Sequence, residues 1–153
     1  MNLSEPEIVF REITTADIPS VVALLSRGFP RRRGFWPRAL ARLGKHRQPP
    51  GFPRFGYVIE RQGVRLGVIL TIYSTVRAGD ALVIRCNPCA WYVDASVRAY
   101  AGLLFARTLK DNNVTYINVS PAPHTRAMIE ALGFSRYCSG VFISIPILSG
   151  KSD

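Results

Sequence analysis

Acidic residues are scarce in this sequence, and one long stretch has none. The 153 residues include 20 lysines and arginines but only 10 aspartates and glutamates, which gives a formal net charge of +10. No acidic residue lies between Asp17 and Glu60. That interval contains the basic residues Arg27, Arg31, Arg32, Arg33, Arg38, Arg42, Lys45, Arg47 and Arg54. A basic block of this kind indicates a polyanionic partner, such as nucleic acid, an anionic membrane or a phosphorylated ligand, or else a solvated surface that aids solubility.

Cysteines are also few, and long hydrophobic runs are missing. Three cysteines, an odd number, do not make a disulfide framework, so we expect a cytoplasmic protein. No apolar run approaches the roughly 20 residues that span a bilayer, and the first twelve residues contain no apolar core of a secretory signal. The composition, 48% hydrophobic and 20% charged, predicts one folded domain over residues 1–153 with its core at about 8–148.

The first third of the chain predicts one strand and two helices. The segment from Ile8 to Ile13 is short and mainly apolar, which predicts a strand. Thr14 and Asp17 approximate a capping box, so a helix should begin there and end near Gly28. A shorter apolar stripe between Trp36 and Leu43 predicts the second helix.

The remaining elements complete an α+β pattern. Three β-rich segments with short connections predict an antiparallel meander: Phe55 to Arg61, Val64 to Val76 and Ala81 to Val93. A helix capped by Asp94 should run to about Lys110, and a strand should cover Val114 to Ser120. A helix ending at Gly133 and a β-rich segment from Phe134 to Leu148 follow. The order β-α-α-β-β-β-α-β-α-β predicts a mixed, mainly antiparallel central sheet flanked by helices.

The most informative stretch is VTYINVSPAPHTRAMIEALGFSRY, from Val114 to Tyr137. Gly133 can adopt the left-handed conformation that ends a helix, and Phe134 can then supply an apolar contact. This strand, helix and Leu-Gly-Phe ending resemble the C-terminal half of the GCN5-related N-acetyltransferase (GNAT) fold. The resemblance implies an acyl-CoA-dependent acyltransferase that moves an acetyl or other acyl group from CoA to the amine of an unknown acceptor.

The resemblance also implies a CoA site between the central strand and the strand after it. In the family, the helix after the central strand begins with glutamine or arginine and then small residues, which let the pyrophosphate approach the backbone amides. Arg98 matches the first of these positions, whereas Leu103 stands at a small one. The implied CoA-binding residues are Tyr92, Val93, Arg98, Ala99, Tyr100, Ala101, Gly102, Leu103 and Ser120.

The catalytic residues that the resemblance implies are less complete. The family's usual acid is a tyrosine on the helix before Leu-Gly-Phe, and Ile129 occupies that position. His124 is a candidate acid or base instead, and Tyr92, Tyr100 and Tyr137 are alternative acids. Glu60 is a further candidate base, although an exposed hairpin glutamate is the simpler interpretation.

Cys86-Asn87-Pro88-Cys89 looks like a redox or zinc motif but lacks the partners of either, so we predict no metal site. Pro88 interrupts pairing in a long strand, which favours a β-bulge. Such a bulge would turn nearby side chains toward the acceptor side of the cleft. The candidate acceptor-binding residues are Arg85, Trp91, Arg31, Arg32, Arg33 and Trp36.

Three functions remain open from the sequence. The first is an acyltransferase whose basic block receives an anionic or sugar-phosphate acceptor. The second is a non-catalytic module of the same fold that binds acyl-CoA or a phosphorylated ligand, suggested by Ile129, Ala99 and Leu103. The third is a nucleic-acid-binding protein, in which arginines pair with phosphates and aromatic side chains stack on bases.

Overall fold

A computed structural model describes residues 7–139. They form two compact units, divided after Pro121. No helix within the described residues is both long and apolar enough to cross a membrane. The prediction of a single domain stays a prediction.

The first unit is built on a five-stranded sheet. Its strands are β1 (Ile8–Glu12), β2 (Gly56–Arg61), β3 (Val64–Ala78), β4 (Ala81–Val93) and β5 (Val114–Tyr116). They lie in chain order across the sheet. Strands β1 to β4 pair antiparallel, and β5 joins β4 in parallel. The predicted mixed, mainly antiparallel sheet is confirmed.

Two amphipathic helices cover one face of this sheet. Helix α1 spans Ile18–Gly28 and helix α2 spans Phe35–Lys45, close to their predicted bounds. Their apolar stripes pack with β2 and β3 in one core. That core contains Ile13, Val21, Leu24, Leu25, Trp36, Leu40, Leu43, Phe55, Val58, Val68 and Leu70. The period of 3.6 residues therefore predicted the buried stripes correctly.

The other face of the sheet is covered by a short helix. Ile59 and Ile69 point away from α1 and α2 and are also fully buried. Helix α3 (Ala101–Arg107) contacts β2, β3 and β4 and buries Phe105. It is much shorter than the predicted helix, because residues Ala95–Tyr100 form a 3₁₀ segment with a kink at Val97. The Asp94 side chain accepts from the backbone N–H of Ser96 at 3.0 Å, which favours a turn over a continuous helix.

A buried ion network joins the start of α1 to the sheet. Asp17 is fully buried, and its carboxylate accepts hydrogen bonds from Arg11 at 2.7 and 2.8 Å and from Arg65 at 2.8 Å. The backbone N–H and the hydroxyl of Thr14 donate to the same carboxylate. Both arginines also pair with Glu60. Glu60 is therefore a structural ion-pair partner, and this network gives it no catalytic role.

The second unit contains the predicted Leu-Gly-Phe helix end. Helix α4 spans Arg126–Ala131, and Gly133 has φ +94°. The Phe134 N–H donates to the Ile129 carbonyl at 3.3 Å, and the Gly133 N–H donates to the Glu130 carbonyl at 2.9 Å. These two bonds form a Schellman motif, so the predicted helix end is confirmed. Residues 134–139 form no strand, and the rest of the predicted final strand lies outside the described residues.

Candidate active site

Strand β4 contains a bulge at the centre of the first unit. Leu70 pairs with Cys89 and Val68 pairs with Tyr92, so Ala90 and Trp91 together face Ile69. Ala90 has φ +47°, an uncommon value for a residue other than glycine. The predicted bulge is confirmed, but it lies two residues beyond Pro88, which keeps its place opposite Thr71.

The bulge reverses the alternation of side chains along β4. Cys89 packs with the core under α1 and α2, and strict alternation would put Trp91 on the same face. The extra residue turns Trp91 to the opposite face, where its ring meets Phe105 of α3 at 5.2 Å between centroids. Trp91 therefore faces α3, and the expectation that the bulge aims it toward the acceptor side stays a prediction.

The same reversal sends Tyr92 to the face of α1. A Cβ atom on Gly28 would lie 2.5 Å from the Cγ atom of Tyr92, so the end of α1 rests directly on this ring. Glycine is needed here because of this close approach. Tyr92 is thus part of the packing around the bulge, and its predicted catalytic role stays a prediction.

Strands β4 and β5 separate beside the bulge. They pair at only three positions within the described residues, from Ile84 with Val114 to Cys86 with Tyr116. A last hydrogen bond joins the Ile117 N–H to the Cys86 carbonyl at 2.9 Å. Beyond it β4 continues to Val93, while the chain after β5 passes through the exposed Ser120. The strand predicted to reach Ser120 ends earlier, but the predicted separation from β4 is present.

A cleft of about 720 Å³ lies between α2 and the sheet and reaches the bulge. Its floor is apolar and comes from β3 and β4. Its wall comes from α2 and the segment before it. The lining residues are Arg31, Phe35, Trp36, Arg38, Ala39, Arg42, Leu43, His46, Leu70, Ile72, Cys89 and Ala90. No aspartate or glutamate is among these described residues.

Only part of the predicted acceptor set lines this cleft. Arg31 and Trp36 do, and the Trp36 indole donates to the Phe29 carbonyl at 3.1 Å. Arg32, Arg33 and Arg85 are exposed and are not among its lining residues. Their role in acceptor binding stays a prediction.

Three polar residues of the cleft were missed from the sequence. Arg38 and Arg42 are one helical turn apart on α2. This spacing is not apparent when the basic block is treated as a simple run of charge. His46 ends α2, and its Nε2 lies 2.8 Å from the Tyr73 carbonyl oxygen. A carbonyl can only accept, so Nε2 carries the proton and Nδ1 is the nitrogen left for other contacts.

Neither cysteine of the Cys86-x-x-Cys89 motif is suited to metal or thiolate chemistry. Cys86 packs with Tyr73 and Val114, whereas Cys89 packs with the core under α1 and α2. Burial raises the pKa of Cys86 to about 12 and that of Cys89 to about 11, so both thiols stay protonated near neutral pH. Among the described residues, no group of three His, Cys, Asp or Glu side chains is placed to hold a metal ion.

Solved structures superpose on this chain over most of its length. The aminoglycoside N-acetyltransferase AAC(6')-Iy in complex with CoA superposes with a TM-score of 0.67 over 95% of this chain and 99% of its own, at 15% identity. This chain has the GNAT fold. A GNAT family acetyltransferase from Staphylococcus aureus gives a TM-score of 0.62 at 16% identity, over 90% of this chain and 98% of its own.

The remaining comparisons show the fold of this chain but not its activity. Glucosamine-6-phosphate N-acetyltransferase from Arabidopsis thaliana matches with a TM-score of 0.60 at 11% identity, over 90% of this chain and 98% of its own. No family model and no curated protein sequence matches the chain. Identities this low show the fold, while activity depends on the residues of the site.

The segment that the GNAT resemblance assigns to CoA is exposed and irregular. Arg98 and Ala99 lie in the 3₁₀ segment, and Ala101 begins α3. The side chain of Leu103 is 59% exposed, so it does not turn into the core to make room. Tyr100 lies on the outer surface against Phe10, with 6.2 Å between ring centroids. Arg98 is thus available to an anion, and Leu103 remains a bulky departure from the family pattern.

The second unit contains the remaining catalytic candidates. His124 is exposed in the 3₁₀ turn Pro123–Thr125. Ile129, at the position of the usual acid, is buried and cannot donate a proton. The catalytic role of His124 stays a prediction.

Proposed function

We propose that this protein is an acyl-CoA-dependent N-acyltransferase. The carrying observation is the bulge in β4, which touches both the opening between β4 and β5 and the floor of the arginine-lined cleft. The opening offers a strand edge to the CoA thioester, and the cleft offers a separate approach for the acceptor. Both approaches end at Ala90.

The strand edge fits a CoA thioester. An extended amide chain such as pantetheine can pair with an exposed strand edge as an added strand does. Residues from Asn87 to Val93 provide that edge, since β5 pairs no further than Tyr116 within the described chain. Arg98 and the small residues Ala99, Ala101 and Gly102 follow it, where the pyrophosphate would lie. Tyr92, Val93, Tyr100, Leu103 and Ser120 complete the proposed CoA contacts.

The bulge supplies the electrostatic part of the reaction. The extra residue of a bulge is left out of the regular ladder, so we infer that a backbone N–H near Ala90 donates to the thioester carbonyl. The acceptor amine attacks the acyl carbon, a C–N bond forms, and the C–S bond breaks. The amine loses one proton and the thiolate of CoA takes one, so the reaction is neutral overall.

His46 is the proton acceptor that the cleft best supports. Apart from the arginines and the protonated Cys89, it is the titratable side chain among the described lining residues. Its Nε2 is engaged by the Tyr73 carbonyl, which leaves Nδ1 able to accept a proton from the amine directly or through water. His124 and Tyr92 are the alternatives from the sequence, and comparing the thiol-release rates of His46→Gln, His124→Gln and Tyr92→Phe separates the three.

Binding of CoA is the first test. Acetyl-CoA at a hundred times its dissociation constant should raise the free energy of unfolding by about 2.7 kcal/mol. Thermal unfolding with acetyl-CoA, longer acyl-CoAs and free CoA measures this. No stabilisation by any of them would remove the proposal. Thiol release with an amine panel then separates a catalyst from a non-catalytic CoA-binding module, which would bind and release nothing.

Arg98→Glu should weaken the binding of CoA at least about tenfold. It places a negative charge where a pyrophosphate would lie, and each 1.4 kcal/mol lost is a factor of ten. Isothermal titration calorimetry with free CoA measures the change. Arg77→Glu, at the exposed β3–β4 hairpin, makes the same charge change away from this segment and should bind as the parent does. Equal effects of both variants would show that Arg98 has no local role.

The GNAT fold leaves the acceptor open. Among its structural neighbours, one is named for an aminoglycoside and another for glucosamine 6-phosphate. The acceptor of this chain must therefore be inferred from its own cleft. A cytoplasmic location is part of the same proposal, since acyl-CoA pools and free thiols belong to that compartment.

A further inference from the structure

We propose, on the basis of the proposed acyltransferase function, that the cleft selects an amine that carries its own anionic group. Arg38 and Arg42 would hold a phosphate or carboxylate of the acceptor. The amine would then lie toward Ala90, at the floor of the same cleft.

The placement of these arginines follows from the period of α2. Trp36, Leu40 and Leu43 form the buried stripe of the helix. Arg38 and Arg42 are four residues apart, so their side chains lie one above the other along the cleft beside that stripe. Arg38 turns back over the start of the helix. Its Nη1 atom comes so close to Gly34 that a Cβ atom on that glycine would lie 2.8 Å away.

Within the described part of the chain, no carboxylate pairs with the arginines of the cleft. Among the described residues, the ion pairs formed by carboxylates involve Arg11 and Arg65, and none involves an arginine of the cleft. The lining contains no aspartate or glutamate within that part of the chain. Three guanidinium groups without a counterion repel a purely cationic amine and attract an anion. Guanidinium also matches phosphate and carboxylate with two parallel hydrogen bonds.

The floor of the cleft strengthens this selection. Leu70, Ile72 and Ala90 are apolar, and Cys89 stays a protonated thiol. Charges interact more strongly beside such a surface than in open water. Arg31 also lines the cleft, with its Cζ atom 5.8 Å from the Phe35 ring centroid.

The size of the cleft favours a small molecule over nucleic acid. Its volume of about 720 Å³ lies within the roughly 300–1,000 Å³ that is typical of small-ligand sites. Arg32 and Arg33, which a polyanion would need along an extended track, are not among the lining residues. The sequence left nucleic acid open, and the position of Arg38 and Arg42 favours the small anionic amine.

Matched acceptors test the inference. Thiol release should be measured for ethanolamine against O-phosphoethanolamine, glucosamine against glucosamine 6-phosphate, and spermidine as a cation. We expect kcat/KM to be at least about tenfold higher for the anionic member of a pair. Equal or higher kcat/KM for the unphosphorylated amines or for spermidine would overturn the inference while leaving the acyltransferase proposal intact. If the parent protein does not bind acetyl-CoA, the acyltransferase proposal itself is contradicted, and this is a separate outcome.

Variants locate the selectivity. Arg38→Gln and Arg42→Gln should each raise KM for the anionic amine at least about tenfold, with kcat changed less than about threefold. Lysine at either position should restore only part of the affinity, because it keeps the charge but lacks the planar guanidinium group that forms two parallel hydrogen bonds. Arg77→Gln is the charge-matched control outside the cleft and should change neither constant. A larger effect from Arg32→Gln or Arg33→Gln would place the anion on the exposed loop and contradict the proposal.

Binding without turnover gives an independent measurement. With saturating CoA present, inorganic pyrophosphate should raise the melting temperature of the parent protein, and Arg38→Gln/Arg42→Gln should abolish this rise. An equal rise in the double variant, or none in the parent, would contradict the inference. Random duplex DNA should not compete with pyrophosphate; competition that weakens steeply with salt would assign the arginines to nucleic acid instead.

Discussion

Replacing Asp17 by alanine should lower the free energy of unfolding by about 3–5 kcal/mol, the usual effect of removing one partner from a buried ion network. The carboxylate is fully buried and receives donors from Arg11, Arg65 and Thr14. Its loss leaves two partly buried guanidinium groups and a backbone N–H without their acceptor. Urea unfolding at pH 7 measures the change. Asp80→Ala, at an exposed turn, is the control and should change stability by less than about 0.5 kcal/mol.

The same network predicts how stability depends on pH. The hydrogen bond from Arg11 lowers the pKa of Asp17 far below its ordinary value. A carboxylate with a lowered pKa in the folded state stabilises the fold fully above its unfolded pKa of about 3.9, and loses this contribution as the pH falls further. Asp17→Asn should therefore unfold with a flatter pH dependence below about pH 4 than the parent. Parallel curves would show that the charge of Asp17 contributes little.

Replacing Gly56 by alanine should destabilise the first unit by about 3 kcal/mol, since backbone strain and overpacking each contribute about 1–3 kcal/mol. Gly56 has φ +120°, and a Cβ atom there would lie 2.1 Å from the Ile69 carbonyl oxygen. That oxygen belongs to the backbone of β3 and cannot move without disturbing the ladder. Ile69 is the residue that faces the bulge in β4, so the strain would reach the floor of the cleft.

Gly63→Ala separates conformational strain from steric contact. Gly63 also has a positive φ, +77°, but a Cβ atom there would meet nothing within 4 Å. Its replacement should cost about 1–2 kcal/mol, the effect of the left-handed backbone conformation alone. The difference between the two variants in urea unfolding measures the contact with Ile69. Equal losses would mean that β3 shifts freely away from Gly56.

Local patterns predicted the elements better than their interruptions. The apolar stripes of α1 and α2 follow directly from side-chain periodicity, and they match the structure. Pro88 pointed to an interruption of β4, but the extra residue is at Ala90 and Trp91. A bulge is fixed by the register of two strands, and a single sequence does not contain that register.

Contacts between distant parts of the chain account for the other differences. Asp17 reads as a helix cap from the sequence, whereas Arg65 reaches it from 48 residues away. No sequence pattern singles out His46, because its partner is a backbone carbonyl of β3. Arg38 and Arg42 were visible as charges, but only the burial of Trp36 and Leu40 shows which side of α2 faces the cleft. The sequence identifies the chemistry of each side chain, whereas the fold determines which way that side chain points.

The short pairing of β5 has a consequence for self-association. Backbone groups left open along a strand can pair with a second polypeptide, and proteins usually protect such edges. Here a longer β5 would protect β4 but would also seal the groove proposed for CoA. Pro88 lies on the stretch of β4 that β5 does not pair with in the described part of the chain, and it has no N–H to offer an incoming strand. Ligand binding and protection from edge-to-edge aggregation therefore compete for the same few backbone groups of β4.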